Sequence, residues 1–207
     1  MHAIALEELG GWALDADARR GLRAALKDAG RAGGALVIAG GPGSWQHERQ
    51  PGDARAAHRD FHSLLLAVVA HPAPVVAAVA GEATGFGLAL AAAADVRLVA
   101  ADAAFRVTEP GSALETGAYR LLVRLLGRAR ADHLVYTGVP MTGEEASALS
   151  FASAELGSAD AERLADTLVT PGAAAVKRAA IAGLVPALTE ELQYDAWLAL
   201  SAAGEAP

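Results

Sequence analysis

The sequence predicts an α/β fold built on a parallel sheet with a helical region behind it, and three observations carry that expectation. Apolar runs of strand length alternate with helical periodicity through the first half, glycine and proline mark each change, and from about residue 118 the pattern is helical almost throughout. Asp15 is placed to cap a first helix in which Ala18, Leu22, Ala25, Leu26 and Ala29 recur at helical spacing up to Gly30. After Gly33-Gly34, residues 35–39 (Ala-Leu-Val-Ile-Ala) read as a buried strand closed by Gly40-Gly41-Pro42-Gly43. Residues 46–55 are a polar loop. A second helix over 56–70 turns Phe61, Leu65, Val68 and Val69 to one side, and Pro72 and Pro74 stop it. Residues 75–80 form the next strand, 81–87 a turn, 88–94 an apolar helix, 96–99 a third strand and 104–107 a fourth. The later helices are broken at 138–142, 157, 171–172 and 186. Continuous apolar runs, rather than alternating ones, mark strands covered on both faces. No repeat or low-complexity linker interrupts the chain, so residues 1–150 are expected to form the α/β core and 151–207 a C-terminal helical region.

Composition removes several functions. The 207 residues are 53% apolar and carry a formal charge of -7. The absence of cysteine excludes disulfides, thiolate metal sites and a cysteine nucleophile. An acidic chain without a basic run is not expected to bind nucleic acid. Its longest apolar stretches, 74–80 and 88–94, fall far short of the roughly 20 residues of a spanning helix. Met1-His2-Ala3-Ile4 lacks the basic head of a signal peptide, so a cytoplasmic location is expected. His58 and His62 are spaced i, i+4, but Arg59 and Asp60 between them suit a solvated face, and no metal is expected.

The informative stretch is 74–91, where a buried strand runs through Gly81-Glu82-Ala83-Thr84-Gly85-Phe86-Gly87 into an apolar helix. Such a turn aims the free N–H groups of a helix N-terminus, with the positive end of the dipole behind them, at one point. A phosphate or a developing oxyanion suits that point, and the glycines let a ligand approach the backbone. The same glycines serve tight strand–helix packing equally well. No Gly-Lys-Ser/Thr follows, and the spacing is not a dinucleotide fingerprint.

This stretch, with Asp95-Val96-Arg97-Leu98 behind it, resembles the central segment of the crotonase (enoyl-CoA hydratase/isomerase) superfamily. Further matches follow in order. Ala103-Ala104-Phe105 with Glu109 resembles Ala-x-Phe-x-x-Pro-Glu, and Leu125-Leu126-Gly127-Arg128-Ala129 resembles Leu-Val-Gly-Lys-Ala. Tyr136-Thr137-Gly138 with Thr142-Gly143-Glu144-Glu145-Ala146 resembles Leu-Thr-Gly and Ala-Glu-Glu-Ala; residues 35–45 and 172–178 match the flanking segments. The resemblance implies a crotonase-like ββα spiral core and a thioester carbonyl held between two backbone N–H donors, at Arg49 and Phe86 by position. Gly85, Gly87 and His47 would lie about the substrate. Two departures stand out. The family's Ala-Gly-Ala-Asp is here His47-Glu48-Arg49-Gln50, and Phe86 replaces a glycine, which narrows the pocket.

Hydratases of this family use two glutamates. Ala89 occupies the place of the first, and Glu109 corresponds to the second. One carboxylate beside an oxyanion hole suffices to shuttle a proton, so isomerisation, dehydration or decarboxylation through an enolate stays open while two-glutamate hydration is in doubt. Glu109 could equally cap the turn before Pro110. Glu115 and Tyr119 follow in a loop shortened relative to the family's; they could approach the pocket, or Glu115 could serve the N-terminus of the next helix. Residues 1–14 match only the later part of the family's N-terminal region, and the tail stops short of the helices that normally help cover acyl-CoA. These features resemble the small hydratase-like proteins of polyketide and dihydroxyphenylglycine pathways. The expected function is therefore an isomerase, dehydratase or hydratase acting on an acyl thioester linked to CoA or a carrier protein. The alternatives are a non-catalytic crotonase-fold subunit assisting a partner enzyme, or a bare assembly module. A homotrimer or hexamer is implied, with CoA thioester as substrate and no further cofactor.

Overall fold

The computed structural model describes residues 2–6, 16–46, 54–109, 117–157 and 160–202. Two sheets and a shell of helices are built from them. Strands β1 (His2–Ala5), β2 (Leu36–Gly40), β3 (Val75–Val79), β5 (Val96–Val99) and β8 (Ala154–Glu155) form a wholly parallel sheet in the order β1-β2-β3-β5-β8. A smaller sheet takes β4 (Glu82–Thr84), β6 (Ala104–Arg106) and β7 (Met141–Thr142), with β4 parallel to β6 and β7 antiparallel to it. The sequence spacing placed β2, β3, β5 and β6 to within a residue at each end. It read Glu82–Thr84 as turn, because a three-residue strand is too short to show a period. The sheet draws its last strand from beyond residue 150.

Helices α1 (Ala16–Ala32), α2 (Ala54–Val69) and α3 (Phe86–Ala93) lie on one face of the large sheet. There Leu36, Ile38, Val75, Ala77 and Val79 join the main core with Leu22, Leu26, Leu64, Leu65 and Val68. On the other face Val37, Val76 and Leu98 meet Ala165 of α7 (Ala161–Leu168) in a second, smaller core. Burial on both sides is why β3 is apolar at all five positions. Helices α4 (Ala118–Leu126), α5 (Arg128–Thr137), α6 (Gly143–Ala148), α8 (Ala173–Ile181) and α9 (Leu184–Ala202) complete the shell. Pro186 does not break α9, because it sits in the first turn, where the missing N–H has no intrahelical acceptor to lose.

An ionic cluster built on the buried Lys177 ties the C-terminal helices to the core at the N-terminal ends of β3 and β5. The Asp95 carboxylate accepts from the Val75 N–H at 2.8 Å and from Lys177 Nζ on α8 at 2.6 Å. Lys177 is 4% exposed and also donates to the Ala73 carbonyl at 3.1 Å. Burial lowers its pKa, and Asp95 opposes that shift. His71 packs beside it, buried, with Nδ1 2.9 Å from the Ala73 oxygen; burial holds its pKa below the ordinary 6.5, and the Lys177 charge adds to that. Arg97 does a similar task for β8: buried, it donates to the Phe151 and Ala94 carbonyls, both at 2.6 Å, over the Phe151 ring. Desolvation pulls its pKa down to about 10.

Lys177 is buried while Asp95 reaches solvent, so removing the lysine mainly loses its packing and its hydrogen bonds to Ala73 and Asp95. Lys177→Ala is expected to lower unfolding free energy by about 1–2 kcal/mol, read by urea titration. His71 is held neutral by folding, so the unfolded chain takes up a proton first as pH falls below 6.5. Stability should therefore decline as pH falls through about 6.5, with a shallower decline in His71→Gln.

Candidate active site

The parallel strands deliver three chain segments to one place at their C-terminal ends: the loop after β2, the turn between β3 and α3, and the segment after β6. The loop after β2 is drawn in by Trp45. Its indole is fully buried and donates to the Gly40 carbonyl at 3.1 Å, an approach that a Cβ at residue 40 would block at 2.6 Å from the indole nitrogen. The Trp45 carbonyl then accepts from the Thr84 N–H at 3.1 Å and lies against Gly87, where a Cβ would come within 1.6 Å of the oxygen. Backbone therefore rests on backbone, and only glycine fits at 87.

Gly85 caps α3 with φ 53° and ψ -117°, a conformation that side chains rarely adopt, and its N–H donates to the Arg106 carbonyl at 3.3 Å. The helix that follows is buried at every residue. In its first turn the N–H groups of Phe86, Gly87 and Leu88 point out of the helix end, where no intrahelical carbonyl reaches them. The Phe86 side chain is fully buried and packs on Phe61 of α2, ring centroids 4.4 Å apart at 46°. Ala89 is fully buried one turn on.

Glu109 lies three residues beyond β6 and is exposed. Tyr119 of α4 is half-buried and donates from its hydroxyl to Asp132 of α5 at 2.7 Å; that bond to an acidic partner raises the phenol's pKa. His47, Arg49 and Glu115 lie outside the described residues. Among the described residues no group of three His, Asp or Glu side chains could hold a metal ion. A hollow of about 620 Å³ lies on the α7 side of the large sheet, lined by Ala5, Ala39, Ala78, Ala80 and Asp160, away from the α3 turn.

Sequence reasoning missed a polar cluster beside the turn. Glu82 on β4 accepts from Gln46 Nε2 at 3.3 Å and forms an ion pair with Arg106 on β6. Residues 82 and 106 sit diagonally across two paired strands, since Glu82 pairs with Ala104 and Thr84 with Arg106. The cluster holds Gln46, the residue before His47 in the chain. The signal was the opposite charges on short segments, legible only once both are known to be strands.

The enoyl-CoA hydratase/isomerase family profile matches residues 13–193, most of the chain. The chain belongs to that family. A probable enoyl-CoA hydratase of Rhodobacter capsulatus is 34% identical over 203 residues, covering 90% of this chain and 79% of the relative. YngF of Bacillus subtilis, named for the same hydratase/isomerase family, is 37% identical over 117 residues, 54% of this chain but only 45% of its own length. Among solved structures, an Mtb enoyl-CoA isomerase superposes with a TM-score of 0.78 at 24% identity, covering 94% of this chain and 92% of that one. The crotonase fold expected from the sequence is thus established. The Gly85-Phe86-Gly87 corner lies inside the matched region.

The Gly87 contact yields a stability test. Gly87→Ala must separate the loop from the helix and is expected to cost about 3 kcal/mol, or to prevent folding. Gly172→Ala, where nothing lies within 4 Å, should change the urea midpoint little.

Proposed function

We propose that this family member acts on an acyl thioester, CoA- or carrier-protein-linked, through an enolate held by backbone N–H groups, with Glu109 as its single acid/base. The observation that carries the reading is the corner at residues 85–87. There a left-handed glycine and the Trp45 carbonyl fix the first turn of a fully buried helix, so that its N–H donors need no reorganisation when charge develops before them. Phe86 N–H is assigned as one donor and Arg49 N–H as the other; the side chain at 49 is then immaterial to the hole.

In the reaction, the Glu109 carboxylate takes a proton from the carbon next to the thioester carbonyl. The C–H electron pair moves into the new C=C bond, and the carbonyl π pair onto oxygen, where the two N–H groups meet it. Returning the same proton to the γ-carbon of the dienolate gives isomerisation with no net change in atoms; loss of a β-hydroxyl, with Glu109 supplying the proton, gives dehydration. Water addition by a pair of carboxylates is not supported at Ala89, which carries no titratable group and is closed off from solvent. The same feature favours a second reading, a crotonase-fold subunit that binds a thioester for a partner enzyme. Gly85 and Gly87 line the corner in either reading, and His47, Glu115 and Tyr119 are assigned to its rim. The trimer or hexamer implied by the resemblance is the proposed assembly. No described helix is long and apolar enough to cross a membrane.

The test is solvent deuterium exchange into a panel of acyl-CoA thioesters, followed by mass spectrometry. Exchange at the α-carbon is expected with the native protein and should fall about 100-fold or more in Glu109→Gln. Binding without exchange for every thioester would favour the partner-subunit reading.

A further inference from the structure

Two main-chain carbonyls hold the corner at residues 85–87, and they come from different segments. The Trp45 carbonyl takes the Thr84 N–H and rests against Gly87, while the Arg106 carbonyl takes the Gly85 N–H. The geometry of the corner therefore depends on how the loop after β2 and the end of β6 sit relative to each other. Strands β4 and β6 are three residues each, their ladder ends at the Thr84–Arg106 pair, and β7 reaches β6 only at Ala104 and Phe105. Among the described residues, neither Trp45 nor Gln46 has a main-chain hydrogen bond to β6. Glu82 supplies the tie between them. One of its carboxylate oxygens accepts from Nε2 of Gln46, the neighbour of Trp45, at 3.3 Å, and the other accepts from Arg106 Nε.

We propose that Glu82 is a positioning residue for the corner. By holding Gln46 and Arg106 together, it sets the separation of the two carbonyls that fix Thr84, Gly85 and Gly87, and with it the aim of the N–H groups in the first turn of α3. This deepens the thioester reading above and rests on it only for the chemistry that the corner serves. The physical cause is a carboxylate with each oxygen engaged by a donor on a different segment, and hydrogen bonds to a charged acceptor are stronger than neutral ones. The side chains of Glu82 and Arg106 are 33% and 39% exposed, so solvent screens the pair and its share of global stability is small. Its effect is local, on how often the corner opens.

The experiment follows amide hydrogen exchange residue by residue, by NMR, in the native protein, in Glu82→Ala and in Asp28→Ala, which removes an exposed ion pair on α1. Urea midpoints, butyryl-CoA binding by calorimetry and solvent deuterium exchange at the butyryl α-carbon are measured on the same three proteins. Glu82→Ala is expected to speed exchange of the Thr84 and Gly85 amides about 3- to 10-fold, with the α1 amides and the urea midpoint near native values. Exchange at the thioester α-carbon should fall about 10-fold with affinity nearly unchanged, because misaimed donors weaken enolate stabilisation more than binding. Asp28→Ala should leave the Thr84 and Gly85 amides as they are. Unchanged Thr84 and Gly85 amides in Glu82→Ala, or faster exchange throughout the chain with a lower urea midpoint, overturns the proposal. Where native protein exchanges the thioester, an undiminished rate in Glu82→Ala also overturns it. Faster corner amides in Glu82→Ala, with no α-carbon exchange even by native protein, uphold the positioning role and count against the enolate reading alone.

Discussion

A carbonyl oxygen pressed against a glycine governs the rest of the candidate site. Trp45 brings its C=O to the position where any other residue at 87 would carry a Cβ, and the same oxygen takes the Thr84 N–H. That one oxygen orders the loop after β2, the end of β4 and the first turn of α3. Each would otherwise be a separate surface connection with its own freedom. The buried indole of Trp45, hydrogen-bonded back to Gly40, keeps the loop from lifting off. The geometry at residues 85–87 is therefore set by packing and exists before any ligand arrives, which is the condition for electrostatic stabilisation without reorganisation.

The two ends of the parallel sheet divide the work. At the C-terminal ends lie glycines and aromatic rings. At the N-terminal ends lies the Asp95–Lys177 pair with His71, together with Arg97 just inside β5. The charges there satisfy backbone groups that the turns leave unpaired: Val75 N–H, and the carbonyls of Ala73 and Ala94. Polar interactions thus anchor α8 and β8 far from the site, while the site itself is shaped by apolar contact and main-chain hydrogen bonds.

Much of the fold was legible because strands covered on both faces announce themselves as unbroken apolar runs, as at β2, β3 and β5. What escaped was short or dependent on distant partners. Residues 82–84 and 154–155 become strands only by pairing with Ala104–Arg106 and with Leu98 and Val99, and no local pattern records a partner. In the candidate site, the corner at Gly85-Phe86-Gly87 was visible as two glycines flanking Phe86. Its partner was not legible, because Phe61 read as one apolar helix position among several. Tyr119 shows the converse. Sequence position brought it near the corner, whereas its hydroxyl is engaged by Asp132 on the next helix.

Helix α3 has no polar face and no solvent-facing residue; its eight residues are small or apolar and each is enclosed. At position 89 this creates a historical ratchet. A carboxylate introduced there would enter a space sized for a methyl group, and burial would favour its neutral form over the anion a base requires. A carboxylate at residue 89 would thus require several neighbours to shrink or become polar first, each change unrewarded on its own. Adaptive paths from this sequence run instead through exposed positions such as Glu109, where new side chains meet water rather than a filled core.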